Sequence, residues 1–334
     1  MGTTIAVLGD GAWGTAIALL LAGQPAVRVR LWSARPENAA LLRDRRENAR
    51  LLPGVRIPEA VTLTADPAEA VADADLWVSA IPTVYLRETI ARFAHLATPA
   101  TPVVSLTKGI ELATFRRPAQ IIEEMLGTAR VAALSGPTHA EEVCRGMPTA
   151  AIVAGPDAGL TAEVQRLFST DRFRVYTNAD IVGVEIAGAL KNVIAIAAGI
   201  GDGLGYGDNA KSALLTRGLV EISRFGAALG AEPDTFHGLA GMGDLITTCF
   251  SSHGRNRRVG ERLGRGESLS QILASMPAIV EGVTTAKAVH ERTTVMGLEM
   301  PIIACVHGIL YEGVPAAQGV NMLMARKSGS EKFR

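Results

Sequence analysis

Lysine in an apolar helix, flanked by small residues, is a group that can hold or move a proton beside a ligand. Lys191 lies in Glu185-Ile-Ala187-Gly188-Ala-Leu-Lys191-Asn192-Val193-Ile194, which is apolar almost all round and predicts a buried helix. At 3.6 residues per turn, Val184, Ala187, Gly188, Lys191 and Ala195 share one face, so there is room beside the amine. Burial disfavours the charged amine, which makes proton exchange near neutrality accessible. The competing reading is an amine that snorkels to solvent. Further along come Gly241-Met-Gly243-Asp244-Leu-Ile-Thr247-Thr248-Cys249 and Gly254-Arg255-Asn256-Arg257-Arg258. Arginines and an asparagine at a predicted helix start suit a phosphate, because backbone donors, helix dipole and guanidinium forks converge there. A solvated basic face and a nucleic-acid patch are the alternatives, and no aromatic residues interleave the segment as the second would need.

Two segments of the first half follow predicted strands. Ser105-Leu-Thr107-Lys108-Gly109 places Lys108 for an anionic group, and Ser135-Gly136-Pro137-Thr138-His139-Ala140 stands in the equivalent position. Ligands of open α/β sheets bind outside the carboxyl ends of the strands. His139 in such a loop is a conceivable acid/base, although packing or a backbone hydrogen bond is the favoured role. His237, His253, His290 and His307 show no partner pattern that suggests catalysis. Glu141 and Glu142 read as an early helical turn favoured by the dipole.

A dinucleotide site is the third feature. Gly9-Asp10-Gly11-Ala12-Trp13-Gly14 fits G-x-G-x-x-G, follows the apolar run Ile5–Leu8 and opens a predicted helix, Ala12–Ala22. Gly9 permits the tight turn, Gly11 lets backbone approach a pyrophosphate, and Gly14 lets helix and strand pack closely. The second strand, Val27–Trp32, is followed by Ser33-Ala34-Arg35, without the acid that usually meets the ribose hydroxyls of NAD. Arg35 and Ser33 suit a 2′-phosphate, so the sequence favours NADP over NAD.

These residues need a scaffold, and the pattern of elements describes one. Strand-like runs at 61–63, 76–81, 103–106, 131–134, 150–153 and 172–176 join the first two, with helical stretches such as 87–95 and 161–168 between several of them. That alternation predicts a mostly parallel sheet covered by helices. After about residue 178 strands become scarce, and helices are expected near 180–199, 210–229, 256–264, 268–275, 283–296 and 302–312. The expected organisation is an α/β, Rossmann-like doubly wound domain over 1–178, an all-α domain over 179–325, and a polar tail over 326–334. A length of 334 residues accommodates two such domains. The 33 basic residues balance the 33 acidic ones, which argues against broad nucleic-acid binding. Cys144, Cys249 and Cys305 are far apart without C-x-x-C spacing, as reduced thiols of a cytoplasmic protein would be. Mean hydropathy is +0.23. The main suspect for a membrane span, Ile5–Gly23, contains Asp10 and glycines and lacks a basic flank, so no integral membrane association is expected. Apolar stretches such as Val193–Ile200 are compatible with a homodimer.

Taken together, GDGAWGTA (9–16), SLTKGIE (105–111), SGPTHAEE (135–142), GALKN (188–192), GDLITTC (243–249), GRNRRVG (254–260) and VEG (280–282) resemble the soluble bacterial type of NAD(P)-dependent glycerol-3-phosphate dehydrogenase, in the right order and to about residue 320. The resemblance implies interconversion of dihydroxyacetone phosphate and sn-glycerol 3-phosphate, supplying the latter for phospholipid synthesis, with Lys191 as proton donor and acceptor and Asp244 supporting it. It implies substrate contacts at Lys108, Gly136, Thr138, Asn192, Asp244, Thr248, Gly254, Arg255 and Asn256. It implies cofactor contacts at Ala12, Trp13, Arg35, Lys108, Ala140, Arg255, Ile279 and Glu281, besides the loop glycines. Two departures stand out: Asp10 replaces a small residue close to the pyrophosphate, and Ala12 replaces a frequent serine. Alternatives are a related dehydrogenase of the 6-phosphogluconate or 3-hydroxyacid type, or a nucleotide-sensing module without turnover.

Overall fold

Residues 2–276 and 278–327 are described by the computed structural model. Part of the expected tail, residues 328–334, therefore lies outside the described residues, whereas Arg326 is placed and donates to Glu299. The chain divides into two units. The first comprises residues up to Lys108 and Arg117–Ile181, and the second Gly109–Arg116 and Val182 onward.

In the first unit, β1 (Thr3–Leu8), α1 (Ala12–Ala22), β2 (Val27–Trp32), α2 (Pro36–Arg45), β3 (Val61–Thr64), α3 (Pro67–Val71), β4 (Leu76–Ser79), α4 (Thr83–Ala91) and β5 (Val103–Ser105) alternate along the chain. They continue as α5 (Pro118–Leu126), β6 (Val131–Ser135), α6 (Ala140–Cys144), β7 (Thr149–Ala154), α7 (Ala158–Phe168) and β8 (Phe173–Asn178). The strands form one eight-stranded sheet in the order β3-β2-β1-β4-β5-β6-β7-β8. Every neighbouring pair is parallel except β6 with β7. This is the doubly wound, Rossmann-like arrangement, in which the chain reverses direction across the sheet after β3. Side chains alternate across each strand, so Ile5 and Val7 enter one apolar layer with Ile17, Leu21 and Val29, while Ala6 and Leu8 enter the other with Trp32, Trp77 and Phe93. Both faces are covered, which is why these strands read as continuous apolar runs.

The second unit is helical: α8 (Ile181–Gly203), α9 (Asp208–Ala228), α10 (Asp244–Phe250), α11 (Arg255–Gly264), α12 (Leu269–Ala274), α13 (Glu281–Met296), α14 (Pro301–Tyr311) and α15 (Ala316–Met324), with Ile181 alone belonging to the first unit. α8 is buried on every side from Gly183 to Ile196. It is also the one helix among the described residues with the length and apolarity of a membrane span, a property the sequence reading assigned to no segment after Ile5–Gly23. Because 83% of its apolar window is buried within the fold, it serves as a core helix.

The segment Gly109–Arg116 closes on itself through a bond from the Glu111 N–H to the Arg116 carbonyl, 3.0 Å. Phe115 is held at φ +59°, an uncommon region for an aromatic residue. Its ring meets Phe225 of α9 edge-on at 5.9 Å, and Arg292 of α13 lies 5.4 Å from its centre.

Glu221 of α9 caps another helix. Its carboxylate accepts from the Ile302 and Ile303 N–H groups, at 2.8 and 3.2 Å, at the start of α14, where no N-cap side chain does so. Burial pushes its pKa up to about 7, opposed by those two N–H groups and by Arg224 and Arg217. Since the folded value lies above the ordinary 4.5, the native state holds the proton more tightly than the unfolded one. The contribution of Glu221 to stability is thus fully present below about pH 4.5 and is lost as pH rises to about 7. Relative to wild type, Glu221→Gln should gain on the order of 2–3 kcal/mol at about pH 7.5 over about pH 5. Urea unfolding at the two pH values checks this, and parallel pH dependence in the two proteins would refute it.

Candidate active site

The glycine loop of the first unit has the steric signature of a nucleotide cradle. Gly9 lies at φ +117°, and a Cβ there would meet the Ala80 carbonyl oxygen at 2.9 Å. A Cβ on Gly14 would lie 1.9 Å from the Gly9 carbonyl oxygen, whereas one on Gly11 would meet nothing within 4 Å. The loop is therefore tight on its protein side and open at Gly11, where α1 begins without a capping side chain. Exposed N–H groups at such an end suit a pyrophosphate. Asn48, 5% exposed, fixes the loop by donating to the Asp10 carbonyl at 2.8 Å and to Thr15 Oγ1 at 2.9 Å. Trp13 stacks obliquely near Phe173, and its buried indole N–H has no protein partner among the described residues.

At the ends of β5 and β6, three of the sequence-predicted residues meet. Lys108 Nζ donates to the Gly136 carbonyl at 2.8 Å and to Thr138 Oγ1 at 3.2 Å. Gly136 occupies φ +123°, a turn that brings its carbonyl to the lysine. Ala140 opens α6, with His139 at its N-cap. Arg35 is exposed at the N-cap of α2.

The second unit assembles the others. Lys191 is 6% exposed, and its Nζ donates to Asp244 Oδ1 at 2.6 Å and to Thr248 Oγ1 at 2.7 Å. Asp244, which the resemblance implies as the support of Lys191, stands here as its counter-charge; an unpaired ammonium at such a position would be costly. Asp244 follows a π-helical turn, Leu239–Gly243, and begins α10, so Asp244 and Thr248 stand one turn apart on the side facing the amine. Next along α8, Asn192 Oδ1 accepts from Asn256 Nδ2 at 2.9 Å, and Asn256 Oδ1 accepts from the Gly282 N–H at 3.0 Å. Arg255 Nη1 donates to the Ile279 carbonyl at 2.9 Å, and Glu281 starts α13. Gly254 is the N-cap of α11 and lies against the Thr248 carbonyl.

This convergence depends on glycines that face each other across two helices. A Cβ on Gly199 of α8 would lie 1.9 Å from the Arg257 carbonyl oxygen, and one on Gly260 of α11 would lie 2.0 Å from that of Ile196. Gly203 and Gly264 repeat the relationship one turn on, against Glu261 and Ile200. Backbone therefore packs on backbone, and Asn256 reaches Asn192.

Family profiles match both halves of the chain: the N-terminus of NAD-dependent glycerol-3-phosphate dehydrogenase over residues 4–161, and its C-terminus over residues 180–321. The chain belongs to the NAD-dependent glycerol-3-phosphate dehydrogenase family. The enzyme named glycerol-3-phosphate dehydrogenase [NAD(P)+] of Chlorobium limicola is 49% identical over 332 residues, covering 98% of this chain and 99% of that one. Its counterpart from Moorella thermoacetica is 48% identical over 326 residues, covering 98% and 97%. A crystal structure of glycerol-3-phosphate dehydrogenase from Coxiella burnetii superposes with a TM-score of 0.93 at 35% identity, covering 97% of this chain and 99% of that one.

Within this glycerol-3-phosphate dehydrogenase fold, sequence reasoning missed the groups that fix the site rather than form it. Asn48 and three of the four facing glycines carry no local pattern, and Gly260 falls at the end of the quoted 254–260 motif without its packing role being visible there. The Gly282 backbone falls within the quoted Val-Glu-Gly motif, but its bond to Asn256 joins residues 26 positions apart.

Proposed function

We infer that the protein catalyses the reversible reduction of dihydroxyacetone phosphate to sn-glycerol 3-phosphate with NADH or NADPH. The observation that carries this reading is the buried Lys191–Asp244–Thr248 cluster, next to the Asn192–Asn256 bond. A bound nicotinamide supplies the hydride. Lys191, in its ammonium form, donates a proton from Nζ to the substrate carbonyl oxygen and stabilises the developing alkoxide. Asp244 holds the ammonium charge, and Thr248 orients Nζ as an acceptor. Arg255 and the N-terminal backbone of α11, at Gly254 and Asn256, bind the substrate phosphate. Asn192 contributes a further substrate contact. In the first unit we assign Gly9, Gly11, Ala12, Trp13, Gly14, Arg35 and Ala140 to the dinucleotide, and Gly136 and Thr138 to substrate. Lys108 serves both. Ile279 and Glu281 complete the cofactor contacts, together with Arg255. On this reading residues 1–178 form the dinucleotide-binding domain, with Lys108, Gly136 and Thr138 also meeting substrate, and 179–325 the substrate-binding and catalytic domain, with Arg255, Ile279 and Glu281 also meeting the cofactor. The protein works in the cytoplasm and provides glycerol 3-phosphate for phospholipid synthesis; residues 193–200, the apolar stretch compatible with a homodimer, are instead buried in the chain's own fold apart from Ala197.

The test is nicotinamide absorbance with dihydroxyacetone phosphate, run beside 6-phosphogluconate and 3-hydroxyacids. Turnover of the triose phosphate alone supports the assignment, and turnover of another substrate alone rejects it. Arg255→Ala should raise KM for dihydroxyacetone phosphate by about 10- to 100-fold, the loss of a charge-assisted contact, with a smaller change in kcat. An unchanged KM would remove Arg255 from the phosphate site.

A further inference from the structure

The end of β2 has no acid of its own, yet the structure brings one there. Asp10, the second residue of the glycine loop, points its carboxylate at the residues following β2. Oδ2 accepts from Ser33 Oγ at 2.8 Å and from Asn38 Nδ2 at 2.6 Å. Ser33 is 1% exposed and directly follows β2, and Asn38 lies in the first turn of α2. Both bonds go to one oxygen, and no donor holds Oδ1 among the described residues. The carboxylate is anchored from 23 and 28 residues away, and its position is fixed. It does not simply lie beside the pyrophosphate turn, as its place in the sequence suggested.

In this fold the residue after the second strand is the one that meets the adenosine ribose, and an acid there accepts from the ribose hydroxyls of NAD. We propose that Asp10, held by Ser33 and Asn38, is that acid and makes the enzyme prefer NAD(H) to NADP(H). The proposal rests on the dinucleotide reading of the first unit and adds the choice of cofactor. Oδ1 is the acceptor for a ribose hydroxyl. A 2′-phosphate in its place offers no proton to Oδ1 and sets a like charge against it. Ser33, the hydroxyl otherwise suited to a 2′-phosphate, already points its proton at Asp10. Arg35 is the cation nearest in sequence, but it is exposed at the N-cap of α2, where solvent weakens its attraction.

The experiment measures binding, not turnover: NADH and NADPH titrated separately against wild type, Asp10→Asn, Asp10→Ser and Asp10→Asn/Arg35→Ala, by calorimetry. Wild type should bind NADH at least about tenfold more tightly than NADPH, the size of one charge-assisted hydrogen bond. Asp10→Asn and Asp10→Ser should bring the two affinities to within about threefold by weakening NADH and strengthening NADPH. Adding Arg35→Ala should then weaken NADPH alone. Equal or tighter NADPH binding by wild type overturns the proposal, as does an unchanged ratio in both single variants. Failure of wild type to bind either nucleotide would instead reject the dinucleotide site itself.

Discussion

Lys191→Ala is expected to lower kcat for dihydroxyacetone phosphate by about 10³-fold or more while NADH still binds. General acid catalysis accounts for about 10²–10⁴-fold, and loss of the charge at the developing alkoxide adds to it. The variant also leaves Asp244, 2% exposed, without its ammonium partner. A buried carboxylate so exposed to desolvation costs stability, and melting curves must accompany the kinetics. Lys191→Met in combination with Asp244→Asn removes both charges and separates the two effects. The double variant should recover much of the stability and none of the turnover. Near-normal kcat in folded Lys191→Ala would reject the lysine as proton donor.

Gly260→Val should be nearly as damaging without touching a reacting group. The first added carbon alone would sit 2.0 Å from the Ile196 carbonyl oxygen, which is backbone and cannot swing aside. The helices must separate, at a cost of about 3 kcal/mol or more. Separation also pulls Asn256 from Asn192, so KM for the phosphorylated substrate should rise in whatever fraction remains folded. Gly207→Ala is the control, because a Cβ there meets nothing within 4 Å. Thermal unfolding and KM, measured together on both variants, test the argument. A Gly260→Val protein as stable as Gly207→Ala would show that the helix contact does not set the site.

What the sequence disclosed followed from local chemistry. Val27–Trp32 alternates and is β2, Ala12–Ala22 is α1 at the predicted ends, and the glycine loop joins a strand to a helix as expected. Lys191 was legible because a lone lysine between glycine and alanine in an apolar helix is costly without a use. The remainder depended on residues meeting across long separations. Alternation along the chain does not reveal that β7 runs against β6. The helix at Asp244–Phe250 was hidden because its polar residues face Lys191 and its first turn is rich in glycine before it. The missing acid after Trp32 argued for NADP, yet Asp10 reaches that place through space. Facing glycines on α8 and α11 look, in one dimension, like weak points in two helices rather than the surface that joins them.

The excursion of residues 109–116 has a practical meaning for anyone who would treat the halves as exchangeable modules. A gene cut at 178 strands the aromatic plug for Phe225 on the other fragment. The helical half expressed alone would bare the Phe225 ring, which is buried in the intact chain, and should be prone to precipitate. Chimeras between relatives therefore need to carry this octapeptide together with the helices that receive it, so the unit of inheritance is discontinuous along the gene.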